Sequence, residues 1–421
     1  MLLHALRSFV AALALGAAAV TASTPSPVSS NKLITRHLTE YLMPFATATH
    51  EFARVPNTNF LLLTQMSDSK LVKIELDPAT EEPIAYHTFP MGQNNESMLH
   101  GVWPSTKYPG LMWLSLQGDN KLLLVDPGRN LSSAPSIKHT IDIPKPGNGP
   151  HCVFEIGDRV WAGLKEASEQ TGGYYVFSAD INNLTSTKPE NTLYPCLNSP
   201  VFIAEEPASG LIYVTQDTDS SIMRIDIATG ETTQLPVPPA VGNNAVGMIS
   251  ISSGPLRGVW FTLAGNATGG TGTFGHIVSN GTMRFFSLQN ESLGGNAGLL
   301  HIADASPKHT HKNGTACAPA PESDDSPALW LLSTSLLSTS SPDALIRVTF
   351  DETGSSITGE EYISMQTQNA MVHRILTLGR SVFVSELNTF TLAQLKYHNT
   401  VAGQWLPAEI ASGENVYAVT G

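Results

Sequence analysis

Hydrophobic residues recur along this chain in short runs, separated by turns rich in Gly, Pro, Asn and Asp. One pair of runs, 152–156 ("CVFEI") and 160–164 ("VWAGL"), flanks Gly157 and Asp158. Runs rich in β-branched and aromatic residues favour strands, and the glycine between them favours a tight turn. The pattern therefore predicts a β-hairpin, and no helical period of comparable length competes with it.

The hairpin belongs to a larger unit that is repeated. Equivalent positions are separated by 50, 51, 50, 45, 55 and 72 residues. A typical unit has a first strand such as "GPHCVFEI", a second such as "RVWAGLK", a third such as "KLVKIEL" and a polar-edged fourth such as "TTQLPV". Four short strands per repeat are typical of propeller blades. The sequence predicts an all-β chain forming a single β-propeller of seven four-stranded blades, with a six-bladed, TolB-like ring as the alternative.

Two irregularities concern the ends of this predicted domain, residues 32–421, and its sixth unit. The last unit lacks a clear fourth strand, whereas residues 37–45 ("HLTEYLMPF") resemble one. We expect this segment to close the ring beside the last blade and to remove an open edge. Residues 306–327 are rich in Pro, Ser, His and acidic residues and predict a flexible insertion.

The N-terminus indicates a secretory protein. Residues 1–22 combine Arg7, an apolar stretch and a small-residue cleavage site, as a signal peptide does, and residues 23–31 form a linker. The alternative is an N-terminal membrane anchor. No later stretch is long and apolar enough to span a bilayer, so we expect a mature protein that does not span the membrane and is secreted or lumenal. Seven N-glycosylation sequons agree with this route: Asn95, Asn130, Asn183, Asn266, Asn280, Asn290 and Asn313.

Composition and net charge exclude some classes of binding partner and limit the number of disulfides. The net charge is −13 and only 14% of residues are charged, which argues against nucleic acid and anionic membranes as partners. The three cysteines permit one disulfide and one leftover thiol. Because Cys317 lies in the low-complexity insertion, we expect the disulfide to join Cys152 and Cys196.

Histidines mark the start of most first strands. In a propeller this strand lines the central channel, so residues at its start converge on one axis. The alternative is a structural role, in which each histidine caps a turn or bonds a carbonyl. Because histidine exchanges protons near neutrality, a ring of histidines suits elimination, dehydration, lactone opening or carbonyl polarisation. The candidate catalytic residues are His50, His100, His151, His301 and His373, and the two remaining repeat positions carry Val201 and Val246.

A second layer of candidates stands at the ends of the second strands. Polar and apolar residues alternate there, which suits a ligand that is apolar on one side and hydrogen-bonded on the other. Glu51 and Glu386 are the carboxylates nearest the histidines. A carboxylate-rich shell for a hard cation is missing, and imidazoles suit zinc or copper better, so we expect no cofactor and no required metal. The aligned positions are Gln65, Leu116, Leu164, Gln216, Leu263, Ser333 and Glu386.

The chain resembles three groups of propeller proteins. The segments "TEYLMP", "ATHEFARV" and "GVWFTL" resemble repeats of virginiamycin B lyase, a seven-bladed propeller that opens a cyclic depsipeptide by elimination. The architecture is also similar to gluconolactonase-like and NHL-repeat propellers, whose metal sites are acidic. Over the whole chain, the signal peptide, the sequons and repeats such as "GPHCVFEIGDRVWAGL" and "NAMVHRILTLGRSVFVSEL" resemble the fungal hetero-Diels–Alderase-like family of biosynthetic clusters.

This resemblance implies a pericyclase or lyase-type enzyme of meroterpenoid secondary metabolism. Members of the family join a tropolone-type polyketide, as its quinone methide, to a humulene-type sesquiterpene. The five histidines would then be donors, Gln65, Gln216 and Glu386 would orient the polar partner, and an apolar wall would hold the hydrocarbon. The residues of that wall are Val201, Val246, Leu116, Leu164 and Leu263. The alternatives are a metal-dependent, virginiamycin-B-lyase-like or lactonase-like enzyme, and a non-catalytic binding propeller.

Overall fold

The structure is a computed structural model. It describes residues 38–45, 48–182, 184, 190–218, 220–305, 326–379 and 381–396, and the backbone of 416–420. The expected signal peptide, linker and insertion fall outside these ranges, apart from residues 326 and 327 at the end of the insertion.

The first three blades are antiparallel four-stranded sheets, each formed by consecutive strands. Blade 1 contains β2 (Thr49–Arg54), β3 (Phe60–Gln65), β4 (Lys70–Leu76) and β5 (Pro83–Pro90). Blade 2 contains β6 (Leu99–Pro104), β7 (Met112–Leu116), β8 (Lys121–Asp126) and β9 (Ser136–Asp142). Blade 3 contains β10 (Pro150–Ile156), β11 (Arg159–Leu164), β12 (Tyr174–Asp180) and β13 (Asn191–Cys196). The hairpin predicted around Gly157 and Asp158 is the β10–β11 pair.

The next three blades continue this order, and the sixth gains a fifth strand. Blade 4 contains β14 (Ser199–Glu205), β15 (Ile212–Asp217), β16 (Ser221–Ile225) and β17 (Thr232–Pro236). Blade 5 contains β18 (Ala245–Ile251), β19 (Gly258–Leu263), β20 (Thr273–Ile277) and β21 (Met283–Ser287). Blade 6 contains β22 (Leu299–Asp304), β23 (Ala328–Ser333), β24 (Ala344–Phe350), β25 (Ile357–Ser364) and β29 (Val416–Thr420). The described residues add the short helix α1 (Glu291–Gly294) and a 3-10 turn (Asn95–Ser97).

Blade 7 is built from both ends of the domain. It contains β26 (Val372–Leu378), β27 (Ser381–Glu386), β28 (Thr391–Lys396) and, as its outermost strand, β1 (Leu38–Leu42). Strand β1 runs antiparallel to β28, with Leu38 opposite Leu395. The predicted closure by residues 37–45 is therefore confirmed. The ring has seven blades rather than six.

The blades pack face to face around an axis formed by their first strands. Each first strand contacts those of the two neighbouring blades, and β26 contacts β2 to complete the circle. Large aromatic side chains on the second strands fill the spaces between blades, and they include four tryptophans that are almost fully buried: Trp113, Trp161, Trp260 and Trp330. Burial of such large apolar surfaces stabilises the ring and holds the first strands rigidly.

Among the described residues, no helix has the length and apolar character that crossing a membrane requires.

Candidate functional site

Each first strand bulges close to its start. In blade 1, Thr49 pairs with Gln65 and Phe52 pairs with Leu63, so that two residues lie opposite one. A bulge redirects the side chains that it carries, and here it presents one side chain per blade to the axis. The first residues of the seven bulges are His50, His100, His151, Val201, Val246, Leu300 and His373.

Hydroxyl side chains hold these bulges in place. The Thr64 hydroxyl accepts the Glu51 backbone N–H and donates to the His100 carbonyl of the next blade at 2.6 Å. Ser115 repeats this contact to the His151 carbonyl. In three further cases a Thr or Ser hydroxyl at the equivalent position donates to the equivalent carbonyl of the next blade, which belongs to Val246, Leu300 or His50. This contact identifies which residue of each blade occupies the equivalent position.

The position expected for His301 needs correction. The hydroxyl contact and the strand register both give Leu300 the place that the histidines hold in other blades. His301 stands one residue further on, where the neighbouring blade 7 has Arg374. The Arg374 guanidinium donates to His301 Nε2 at 2.7 Å. The repeat spacing alone did not resolve a shift of one residue.

The corrected ring has a polar half. Blades 7, 1, 2 and 3 contribute His373, His50, His100 and His151, which contact one another in sequence. Ring centroids are 3.8 Å apart for the first pair, 4.0 Å for the second and 3.4 Å for the third. We call these four residues the histidine arc. The predicted convergence of the histidines on the axis is thus observed for four of the five.

The other half of the ring is apolar. Blades 4, 5 and 6 contribute Val201, Val246 and Leu300, all buried and part of one hydrophobic cluster. Phe202, the second residue of the blade 4 bulge, belongs to the same cluster. We call Val201, Val246 and Leu300 the aliphatic arc. The ring is therefore divided into one continuous polar part and one continuous apolar part.

Hydrogen bonds fix the tautomers of two members of the histidine arc. His100 Nδ1 lies 3.0 Å from the His151 carbonyl oxygen, which only accepts, so Nδ1 carries the proton. His100 Nε2 is then a lone pair, and it is buried without a partner. His151 Nδ1 lies 2.9 Å from Gln117 Oε1, and the Gln117 amide donates in turn to Glu166. The Nε2 atoms of both histidines are therefore available to accept a proton.

Burial determines the charge of these imidazoles. It lowers the pKa of His50 and holds the pKa of His100, His151 and His373 well below the ordinary value for histidine. Neighbouring positive groups, among them Arg374, add to the effect. The histidine arc is therefore neutral at physiological pH, and each ring provides one N–H donor and one acceptor.

A buried ion pair supports the polar half. Arg374 Nε lies 2.5 Å from Glu51 Oε2, and the guanidinium lies over the Phe202 ring at 4.2 Å. Glu51 was one of the two carboxylates, with Glu386, that were expected nearest the histidines, whereas Arg374 and Phe202 were not anticipated. The sequence does show one feature that could have identified them: each directly follows a residue of the ring, His373 or Val201.

The predicted second layer lies inside the blades. Each of its seven positions pairs with the residue that directly precedes the bulge of the first strand, and all seven are fully or almost fully buried. Gln65 donates to the Pro44 carbonyl, and Gln216 accepts two backbone N–H groups at the start of blade 4. Glu386 accepts from Thr389 and Thr391. The three leucines of this layer pack in the hydrophobic clusters between blades: Leu116, Leu164 and Leu263.

The structure does not pair the two described cysteines. Cys152 and Cys196 are both free thiols. Cys152 lies on the first strand of blade 3 and Cys196 on the fourth, three strand spacings apart, or about 14 Å. A disulfide needs Cα atoms within about 7 Å. The expected Cys152–Cys196 bond is therefore corrected, and Cys317 lies outside the described residues.

Five of the seven sequons lie in described residues. Their asparagines are exposed at four sites and half-buried at Asn290, whose side chain caps α1. Asn183 and Asn313 fall outside the described ranges. The exposed sites are Asn95, Asn130, Asn266 and Asn280.

Comparison with solved structures shows a shared fold. The chain is similar to virginiamycin B lyase from Staphylococcus aureus at 17% identity, with a TM-score of 0.59, over 86% of this chain and 99% of that one. A catalytically inactive histidine-to-alanine variant of that enzyme with quinupristin gives 16% identity and a TM-score of 0.60 over the same shares. YCF48 bound to D1 peptide matches at 11% identity and a TM-score of 0.54, over 86% of this chain and 95% of that one. Neither a family model nor a curated protein sequence matches the chain.

Proposed function

We propose that the protein is an enzyme of small-molecule biosynthesis that removes water from a hydroxymethyl tropolone-type polyketide and couples the resulting quinone methide to a humulene-type sesquiterpene. The observation that carries this proposal is the division of the ring into a histidine arc and an aliphatic arc. One reaction partner is polar and exchanges protons, whereas the other is a hydrocarbon. The two arcs offer each partner a matching surface.

The first step is the loss of water. His100 Nε2, an unpartnered lone pair, accepts the proton of the ring hydroxyl. An imidazole N–H of a neighbouring histidine in the same arc donates a proton to the leaving hydroxyl, and the C–O bond breaks. One proton is taken and one is returned, so the products are the quinone methide and water. Positioned proton transfer of this kind contributes about 10²–10⁴-fold to a rate.

The second step is the cycloaddition. The exocyclic carbon and the oxygen of the quinone methide form the new C–C and C–O bonds to the alkene. N–H donors of the histidine arc form hydrogen bonds to that oxygen as negative charge develops on it, and so increase the electrophilicity of the exocyclic carbon. Val201, Val246 and Leu300 provide the apolar surface that the hydrocarbon needs. Their burial also keeps water from the quinone methide, which water would otherwise capture.

A second candidate function is elimination on a cyclic depsipeptide or a lactone. It is favoured by the likeness to virginiamycin B lyase, of which a histidine-to-alanine variant is catalytically inactive. The histidine arc serves either reaction, because both need a positioned base and a proton donor. A non-catalytic binding propeller would leave the unpartnered Nε2 of His100 without a use.

We also infer that the protein acts in the secretory pathway. The signal-like segment 1–22 and the exposed sequons of the described blades support this location.

The test is a rate measurement on single alanine variants of the five predicted histidines. Wild type and variants are incubated with a hydroxymethyl tropolone and humulene, and the rate and stereochemistry of coupling are recorded. His87→Ala, at an exposed histidine on β5, is the matched control. We expect losses of about 10²-fold or more in the histidine arc, and the largest loss at His100. Wild-type rates in all five variants would mean that the ring is structural. Turnover of quinupristin instead of coupling would establish the elimination reading.

A further inference from the structure

Three unpartnered polar atoms meet at the junction of blades 7 and 1. His50 Nδ1 lies 3.8 Å from Glu51 Oε1, and His373 Nδ1 lies 3.9 Å from the same oxygen. All three atoms are buried and make no hydrogen bond. All three ligand atoms lie within 4.8 Å of one another. The atoms therefore surround one small volume, and each can offer a lone pair to it when the imidazole protons are on Nε2.

Such a group is costly unless something binds there. An unsatisfied buried polar atom destabilises a protein, and native structures contain few of them. Here three occur together. The side chains of His50, Glu51 and His373 are exposed by only 7%, 1% and 9%. Their burial excludes bulk water as the usual partner and points to a bound group that accepts three lone pairs.

The kind of donor defines that group. Two imidazole nitrogens and one carboxylate oxygen favour divalent d-block cations, and Zn²⁺ binds such a set with an open fourth position. Magnesium and calcium prefer an all-oxygen shell, which is missing here. Ligand atoms on a tetrahedral zinc are about 3.3 Å apart, given bonds of about 2.05 Å. The two distances from the histidine nitrogens to Glu51 Oε1, 3.8 Å and 3.9 Å, exceed that spacing by about half an ångström.

Surrounding contacts already orient the ligands. Arg374 holds the other oxygen of Glu51 at 2.5 Å and so directs Oε1 towards the two histidines. Thr64 holds the Glu51 backbone, and the Ser385 hydroxyl donates to the His50 carbonyl at 2.6 Å. Contacts of this kind fix the ligands of metal sites and tune their affinity.

We propose that His50, Glu51 and His373 form a binding site for one divalent d-block cation of the zinc class. This proposal rests on the proposed function and extends it, because the His50 ring lies 4.0 Å from the ring of His100, the proposed base. A cation there would polarise a substrate oxygen beside the base. The expectation of a metal-free enzyme, drawn from the scarcity of carboxylates, did not consider the set of two imidazoles and one carboxylate that the ring closure assembles.

The experiment measures metal uptake without substrate. The full-length protein is dialysed against a chelator and titrated with Zn²⁺ by calorimetry, and the bound metal is counted by elemental mass spectrometry. We expect one Zn²⁺ per chain in the wild type and in His87→Ala, and loss of this binding in His373→Ala and Glu51→Gln. Arg374→Gln should bind about 10–100-fold more weakly, since it loosens Glu51. Visible absorption of the Co²⁺-loaded protein reports whether nitrogen ligands surround the metal.

The outcomes are separable from those of the coupling assay. A wild type that takes up no Zn²⁺ would overturn the site, whether or not any variant folds. Retention of stoichiometric Zn²⁺ by both His373→Ala and Glu51→Gln would overturn it as well. Zn²⁺ uptake without coupling would overturn the proposed function and leave the site. Coupling by a protein that binds no Zn²⁺ would overturn the metal site and leave the proposed function.

Discussion

Replacement of Glu386 by glutamine is expected to stabilise the protein at alkaline pH and to leave its stability near pH 4 almost unchanged. Glu386 is completely buried on β27. Burial, together with the nearby carboxyls of Glu40 and Asp343, raises its pKa from 4.5 to about 8. The folded protein therefore keeps the proton after the unfolded chain has lost it. Between about pH 4.5 and 8 the wild type thus loses stability as the pH rises.

The magnitude follows from the two pKa values of Glu386. The difference between 4.5 and about 8, at 1.36 kcal/mol per pH unit, corresponds to a loss on the order of 5 kcal/mol. Glutamine does not titrate, and its oxygen still accepts from Thr389 and Thr391. The free energy of unfolding of Glu386→Gln relative to wild type should therefore rise across this range.

Urea denaturation at several pH values between 4 and 9 measures this difference. The exposed Glu231, changed to glutamine, is the matched control and should give a small, constant difference. A difference for Glu386→Gln that does not change with pH would refute the reasoning, because it would mean that the carboxyl ionises alike in the folded and unfolded chains.

Three further predictions concern the blades and the surface. Glu155→Ala should lower the free energy of unfolding, measured by urea denaturation, by roughly 3 kcal/mol or more. The substitution removes the acceptor of the buried Trp113 indole N–H and of several loop donors. A loss below about 1 kcal/mol would contradict the importance of this contact. Cys152 and Cys196 should both react with iodoacetamide in denaturant without a reductant, as measured by peptide mass spectrometry, and a disulfide-linked peptide containing both would contradict the structure. Protein from a eukaryotic host should lose mass on treatment with an N-glycosidase, and an unchanged mass would remove the main support for the secretory route.

Much of the fold was predictable because the propeller repeats a local pattern. Apolar runs at regular spacing identify strands, and strands next to each other in sequence pair within a blade. Even the closure by β1 could be predicted, because the last unit lacked a strand and residues 37–45 supplied one. These inferences depend on periodicity alone, which the sequence shows directly.

The site was less predictable because it depends on single-residue register. Repeat spacing placed His301 in the ring, whereas the bulge of blade 6 presents Leu300. A shift of one residue along a strand moves a side chain to the other face. The ion pair of Glu51 with Arg374 was hidden for a different reason: it joins residues that are more than 300 positions apart and meet only when the ring closes.

The disulfide prediction failed through a similar limit. Sequence can count cysteines and exclude one in a low-complexity segment. It does not show that Cys152 and Cys196 lie on opposite edges of one blade.

The divided ring is tested most directly by measuring its two steps separately. Water loss is followed by trapping the quinone methide with a thiol in the absence of humulene, and coupling is followed with both partners present. His100→Gln should slow trapping by about 10²-fold or more. Val246→Thr, which adds a hydroxyl to the aliphatic arc, should trap at the wild-type rate and couple about 10-fold more slowly or worse. Equal effects of both variants on both steps would contradict the assignment of the two arcs to the two partners.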